Sequence, residues 1–230
     1  MTPLLFVPGL GCTARLYEPQ VAALADLAET HVVDHGSRDT IAGIAAAVLS
    51  TAPARFALAG LSMGGYVAFE MMRQAPERIT RLALLDTMAR PDSPAILERR
   101  HRHLGLLADG RYPEVIEALL PVLVHPDRLQ DEALVAVVRE MAGDTGAERF
   151  ARQLRAIMGR ADSRPTLGAI GCPTLVLVGA DDALTPPELA REMHDGIAGS
   201  RLVVVPDCGH LSTIERPQAV TAALRAWLAD

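Results

Sequence analysis

The 230-residue sequence predicts an α/β fold, a doubly wound and mostly parallel sheet of about six strands with an all-helical insertion. Three observations carry that reading. Short apolar runs bounded by Gly or Pro alternate with stretches whose apolar residues recur at helical spacing, the rhythm of strand-helix-strand units. Several of these runs are apolar at nearly every residue, as strands buried on both faces of a parallel sheet are. From about Arg90 to Arg164 the strand-like runs stop, and amphipathic segments follow one another instead.

Taken in order, PLLFV (residues 3–7) is the first strand, and a helical stretch over 16–28 leads to a second strand at HVVD (31–34). A helix over 40–51 returns the chain to RFALAG (55–60), and paired glycines open the helix predicted over 64–75. RLALLD (81–86) is the fourth strand. Four helices follow, ILERRHRHLGLLAD, PEVIEALLPVLV, DEALVAVVREMA and AERFARQLRAIM, the first announced by Ser93-Pro94. TLVLV (174–178), a helix over 187–198, RLVVV (201–205) and a closing helix over 215–228 complete the sheet. The division expected is a core of residues 1–88 and 166–230 carrying an insertion at 89–165, packed as one domain. No repeat, low-complexity segment or Ser/Gly-rich linker interrupts it.

Composition narrows the function. A net charge of -6 supplies no basic excess to displace the counterions of a nucleic acid. All 22 basic residues are arginine, so Schiff-base chemistry and a lysine-bearing phosphate loop are excluded. Cys12, Cys172 and Cys208 form no CxxC pair, and no His, Asp and Glu set shows ligand spacing, so neither a metal nor a disulfide framework is expected. The start, MTPLLFVPGLG, lacks the basic region of a signal peptide and no run reaches membrane-spanning length; a cytoplasmic protein without membrane insertion is expected. Nothing in the sequence assigns an oligomeric state.

The chemistry gathers at strand ends. Gly60-Leu61-Ser62-Met63-Gly64 places a serine where a strand meets a helix, in the pattern G-x-S-x-G. The glycines permit a turn too tight for side chains, and the helix start directs free N–H groups and a positive dipole end at the serine. A serine hydroxyl needs a base and a carboxylate to orient it. GADDALTP (179–186) follows the fifth strand and DCGHLSTIERP (207–217) the sixth, offering Asp181 or Asp182, and His210. Asp86, at the end of the fourth strand, is a third acid. His31, His35, His125 and His194 read as surface or satisfied core positions, and His101 and His103 as a solvated helix face or as the lining of a pocket mouth.

FVPGLG (6–11), GLSMGG (60–65), GADDALTP and DCGHLSTIERP together resemble the α/β-hydrolase fold family, in particular its small bacterial members with a helical cap, over nearly the whole chain. The resemblance implies Ser62 as nucleophile, His210 as general base and Asp182, in the pattern G-x-x-D-x-x-x-P, as the acid. It implies the backbone N–H groups of Leu10 and Met63 as an oxyanion hole, with PGLG standing where many relatives carry HG. A carboxylesterase-like serine hydrolase of small acyl substrates, needing no cofactor, is the expected activity. Lactone, thioester or carbon-carbon bond hydrolysis, perhydrolysis, and ligand binding with a vestigial triad are the alternatives. Substrate choice is expected to lie in the insertion, whose Leu, Ile, Val and Met faces suggest a mainly apolar acyl or alcohol group; Arg99, Arg100 and Arg102 read as a solvated face, and one of them at the mouth would favour an anion.

Overall fold

A computed structural model describes residues 1–36 and 38–229. Its strands are β1 (Thr2–Val7), β2 (Ala28–Val32), β3 (Phe56–Leu61), β4 (Ile79–Leu85), β5 (Thr174–Gly179) and β6 (Arg201–Val205). They form one sheet in the order β2-β1-β3-β4-β5-β6, with every neighbouring pair parallel. The helices are α1 (Glu18–Ala23), α2 (Ile41–Thr51), α3 (Met63–Gln74), α4 (Pro94–Ala108), α5 (Tyr112–Leu123), α6 (Glu132–Thr145), α7 (Ala147–Met158), α8 (Pro187–Gly196), α9 (Ser212–Glu215) and α10 (Pro217–Ala229). Among the described residues no helix is long and apolar enough to cross a membrane.

The central strands explain the layering. In β3, Phe56 and Leu58 enter one apolar cluster with α2, α3 and α8, while Ala57, Ala59 and Leu61 enter a second with α10. β4 repeats the alternation with Leu82 and Leu84 against Ala83 and Leu85, and β5 with Val176 and Val178 against Leu175 and Leu177. Period-two burial on both faces is why these strands read as unbroken apolar runs.

Three stretches differ from the sequence reading. The second strand occupies Ala28–Val32 rather than 31–34, because it pairs with β1 from Thr2↔Ala28 onward. As an edge strand it is only half covered, so AETHV lacks the apolar signature. The helix expected over 16–28 is a 3-10 turn at Ala14–Tyr17 and the short α1, since Pro19 has no N–H with which to continue a helix begun before it. Pro217 divides the closing helix into α9 and α10 by the same means.

Four helices, α4 to α7, lie between β4 and β5, as expected. Ser93 caps α4 by accepting from the Ile96 N–H at 3.3 Å. The insertion has a small apolar cluster of its own, built on Val115, Ile116, Ala142, Phe150 and Leu154. Val138 and Met141 of α6 join one core cluster and Ala156 and Ile157 of α7 the other, so the insertion is packed into the body of the fold.

The chain reverses its direction of sheet growth between β1 and β3. In open parallel sheets the crevice forms at such a switch point, outside the carboxyl ends of the strands. The loops that follow β1 and β3 are PGLG and Ser62.

Candidate active site

Ser62 stands between β3 and α3 with φ 55° and ψ −114°. A side chain in that region is strained, so its surroundings must over-determine it. They do: the Ser62 N–H donates to the Leu85 carbonyl at 2.9 Å, and the Ser62 carbonyl accepts from Thr87 Oγ1 at 2.8 Å and from the Gly65 N–H at 2.9 Å. A methyl group on Gly64 would fall on the Val7 carbonyl, one on Gly60 on the backbone of Gly64, and one on Gly65 on the Thr87 side chain. β1, β3 and α3 therefore meet backbone to backbone. Asp86 and Asp207, with φ 44° and 49°, follow β4 and β6, so the positive-φ non-glycine residues among those described all lie at the carboxyl edge of the sheet.

PGLG forms a turn beside this elbow. The Cys12 N–H donates to the Gly9 carbonyl at 3.2 Å, and Gly11, at φ 68°, holds the position that requires a left-handed residue. A methyl on Gly9 would rest 3.5 Å from Ser62 Cβ, so the turn borders the serine directly. Leu10 lies at the turn's second position. Met63 is the first residue of α3, whose N–H has no partner within the helix.

His210 and Asp182 are each about 2% exposed, and His210 Nδ1 lies 2.8 Å from Asp182 Oδ2 and 3.0 Å from Oδ1. Because an ionised carboxylate only accepts, Nδ1 carries the proton and Nε2 keeps its lone pair. Asp182 also accepts from the N–H groups of Leu184 (2.8 Å) and Thr185 (2.9 Å) and from Thr185 Oγ1 (2.7 Å). Burial alone would raise this carboxyl, but the charge and hydrogen bond of His210, with the Thr185 bonds, hold it below the usual range. Burial likewise disfavours the His210 imidazolium, and Asp182 outweighs it, raising the imidazole above its ordinary value.

The rival acids have other partners. Asp181 is half exposed and faces His125 at 3.4 Å. Asp86 is buried, accepts from the Gly179 N–H at 2.9 Å and pairs with the Ser212 hydroxyl. Burial first, then the nearby Asp182 charge, pushes Asp86 up to about 8. Asp86 thus bridges the strand leading to Asp182 and the helix following His210, while Asp182 carries the negative charge against the imidazole.

One cavity brings Ser62, His210, Leu10 and Thr185 together under the insertion. Its walls are Ile96 of α4, Ile116, Leu119 and Leu123 of α5, Val138 and Met141 of α6, and Phe150 and Ile157 of α7. Cys12 also lines it, though burial pushes its thiol up to about 12, which leaves no thiolate to react. Arg99, Arg100 and His103 reach the cavity, whereas Arg102 points outward to pair with Glu98.

Three contributors carried no separable signal in the sequence. Thr185 sits within GADDALTP, but only the fold shows its hydroxyl 2.7 Å from Asp182 and 3.3 Å from His210 Nδ1. His35 is a satisfied core position, and it also supports the turn after β1. Its Nε2 donates to the Pro8 carbonyl at 2.8 Å, its Nδ1 accepts from Gln153 Nε2 at 3.3 Å, and Gln153 Oε1 accepts from the Gly11 N–H at 3.0 Å. Gln153 belongs to α7, so the insertion props the turn. The His210 loop is tied in the same way, its N–H donating to the Leu123 carbonyl at 3.1 Å.

A family model described as Alpha/beta hydrolase family matches residues 4–224. Among solved structures, an esterase from Thermogutta terrifontis superposes with a TM-score of 0.90 at 32% identity, over 100% of this chain and 90% of that one. The enol-lactonase of Burkholderia xenovorans LB400 gives 0.90 at 29% identity, over 100% and 92%. BpoC of Mycobacterium tuberculosis, whose name proposes a non-heme bromoperoxidase, is 28% identical over 99% of this chain and 94% of its own.

Proposed function

The chain belongs to the alpha/beta hydrolase family, and from that premise we propose that it is a serine hydrolase cleaving a small carboxylic ester through an acyl-enzyme. The observation that carries this reading is the pairing of His210 Nδ1 with Asp182 in the cavity that holds the strained Ser62. His210 Nε2 takes the Ser62 proton as Oγ attacks the carbonyl, and the N–H groups of Leu10 and Met63 hold the oxyanion. The collapsing intermediate expels the alcohol, which receives that proton. Water, activated by the same imidazole, then releases the acid and restores Ser62. Asp182 holds the tautomer and stabilises the imidazolium. The insertion, residues 89–165, serves as the lid that keeps bulk water from this sequence and shapes the acyl pocket.

Lactone hydrolysis is the second reading, favoured by the likeness to the enol-lactonase. A lactone is a cyclic ester, and the same residues open it without change of role.

The test is labelling by a fluorophosphonate probe, with turnover of p-nitrophenyl acetate and butyrate read in parallel. The wild type is expected to label and turn over, and Ser62→Ala and His210→Ala to do neither. A folded wild type that neither labels nor turns over would overturn the reading.

A further inference from the structure

No carboxylate among the described residues lines the cavity, and its wall on α4 carries two guanidinium groups, Arg99 and Arg100. They differ in what balances them. Arg100 Nε lies 2.6 Å from Asp92 Oδ2, and Asp92 is shared with Arg160, whose Nη1 lies 2.7 Å from Oδ1. One buried carboxylate thus serves two guanidinium groups. Arg99 has no hydrogen-bond or ion-pair partner among the described residues although it is partly buried. Burial, then the Arg100 charge beside it, lowers the Arg99 value from that of a free guanidinium. His103, the third basic group there, is held toward its neutral form by burial and by the same arginines. This wall therefore carries an excess of positive charge facing an otherwise apolar space.

Arg160 stacks over the Tyr66 ring at 4.2 Å and through Asp92 ties Arg100 to α3, the helix that begins after Ser62, so this wall and Ser62 border the same cavity. Resting on the ester-hydrolase reading above, we infer that the substrate carries a carboxylate separated from the scissile carbonyl by a short aliphatic spacer, and that Arg99 binds that carboxylate. The guanidinium fork matches a carboxylate in two parallel hydrogen bonds, strengthened where the walls exclude water. The aliphatic side chains of α5 and α6 suit the spacer. Half-esters of dicarboxylic acids, and lactones bearing a carboxylate, have this form.

The experiment compares mono-p-nitrophenyl glutarate with its methyl ester of equal length, in the wild type, Arg99→Met and Arg99→Lys, alongside calorimetric titration of glutarate. The wild type is expected to favour the acid by about tenfold in kcat/KM, in line with a charge-assisted hydrogen bond. Arg99→Met should bring the ratio toward one, Arg99→Lys should keep part of it, and added salt should reduce it. Turnover of the methyl ester with no preference for the acid, or glutarate binding indifferent to Arg99→Met, would overturn the carboxylate site and leave the hydrolase intact. Glutarate binding that depends on Arg99 in a protein turning over neither ester would instead sustain the site and remove the ester-hydrolase reading.

Discussion

The elbow at Ser62 and helix α4 contribute to the same cavity by opposite means. The partners that fix the Ser62 turn are the Leu85 carbonyl, the Gly65 N–H and the buried Thr87 hydroxyl, and Gly60, Gly64 and Gly65 leave no space for a methyl group. α4 contains no buried residue, and a methyl group on its Gly105 would meet no other group within 4 Å. On the proposed function, chemistry that tolerates little displacement is built where the fold is over-determined, and recognition on a helix whose side chains are only partly covered.

The sharpest way to test this division is to disturb the rigid side without changing its volume. Asp182→Asn preserves shape but lets the wrong nitrogen of His210 carry the proton, and kcat for an activated ester should fall about 10⁴-fold. On the proposed mechanism His210 must be neutral to accept the Ser62 proton, and its raised value places the loss of activity on acidification above the ordinary histidine range near 6.5. A kcat/KM profile with its acid limb at or below that range would contradict the Asp182 pairing. Gly64→Ala comes next: its methyl would meet the Val7 carbonyl, which cannot yield, and thermal unfolding should show a loss of about 3 kcal/mol or more.

The boundary between the regions should give an intermediate effect. Gln153→Ala leaves the Gly11 N–H without its acceptor, and kcat should drop about tenfold with KM little changed, the cost of one buried unpaired donor. Gln153→Glu, which keeps the acceptor, should recover part of the rate. An equal loss in both variants would mean that the bond from Gln153 to His35, which neither substitute makes, matters more than the one to Gly11. The smallest effect belongs to α4, where Gly105→Ala should leave activity unaltered and raise stability by up to about 1 kcal/mol, because helical geometry suits alanine and nothing opposes it. A destabilised Gly105→Ala protein would erase the contrast.

The same contrast governs what can be read from sequence. Strands β3 to β5 and Ser62 were legible because burial on both faces and a tight turn each impose composition on neighbouring residues. The choice of Asp182 over Asp181 followed from a motif, while the hydrogen bonds that distinguish them, from Leu184, Thr185 and His210, involve loops that only the sheet brings together. His35 and Gln153 are 118 positions apart and belong to no common pattern, so their support of the Gly11 turn was invisible. β2 was displaced because a half-exposed edge strand has little need of apolar residues. Among the arginines of α4, the sequence offered three in a row of charges, and the helical phase separated Arg99 and Arg100, toward the cavity, from Arg102.

The bond from Gln153 to Gly11 bears on how such a protein can be rebuilt. An insertion placed between two strands invites treatment as an interchangeable part, to be exchanged for a relative's when a new specificity is wanted. Here the part carries the acceptor for a loop whose next-door N–H is assigned to the reacting oxygen, and through Leu123 it also carries the acceptor for His210. A graft that ignored these two acceptors would import a pocket and loosen the Gly11 turn and the His210 loop that the insertion now holds. One that kept Gln153 and the end of α5 while replacing α4 would alter selection alone.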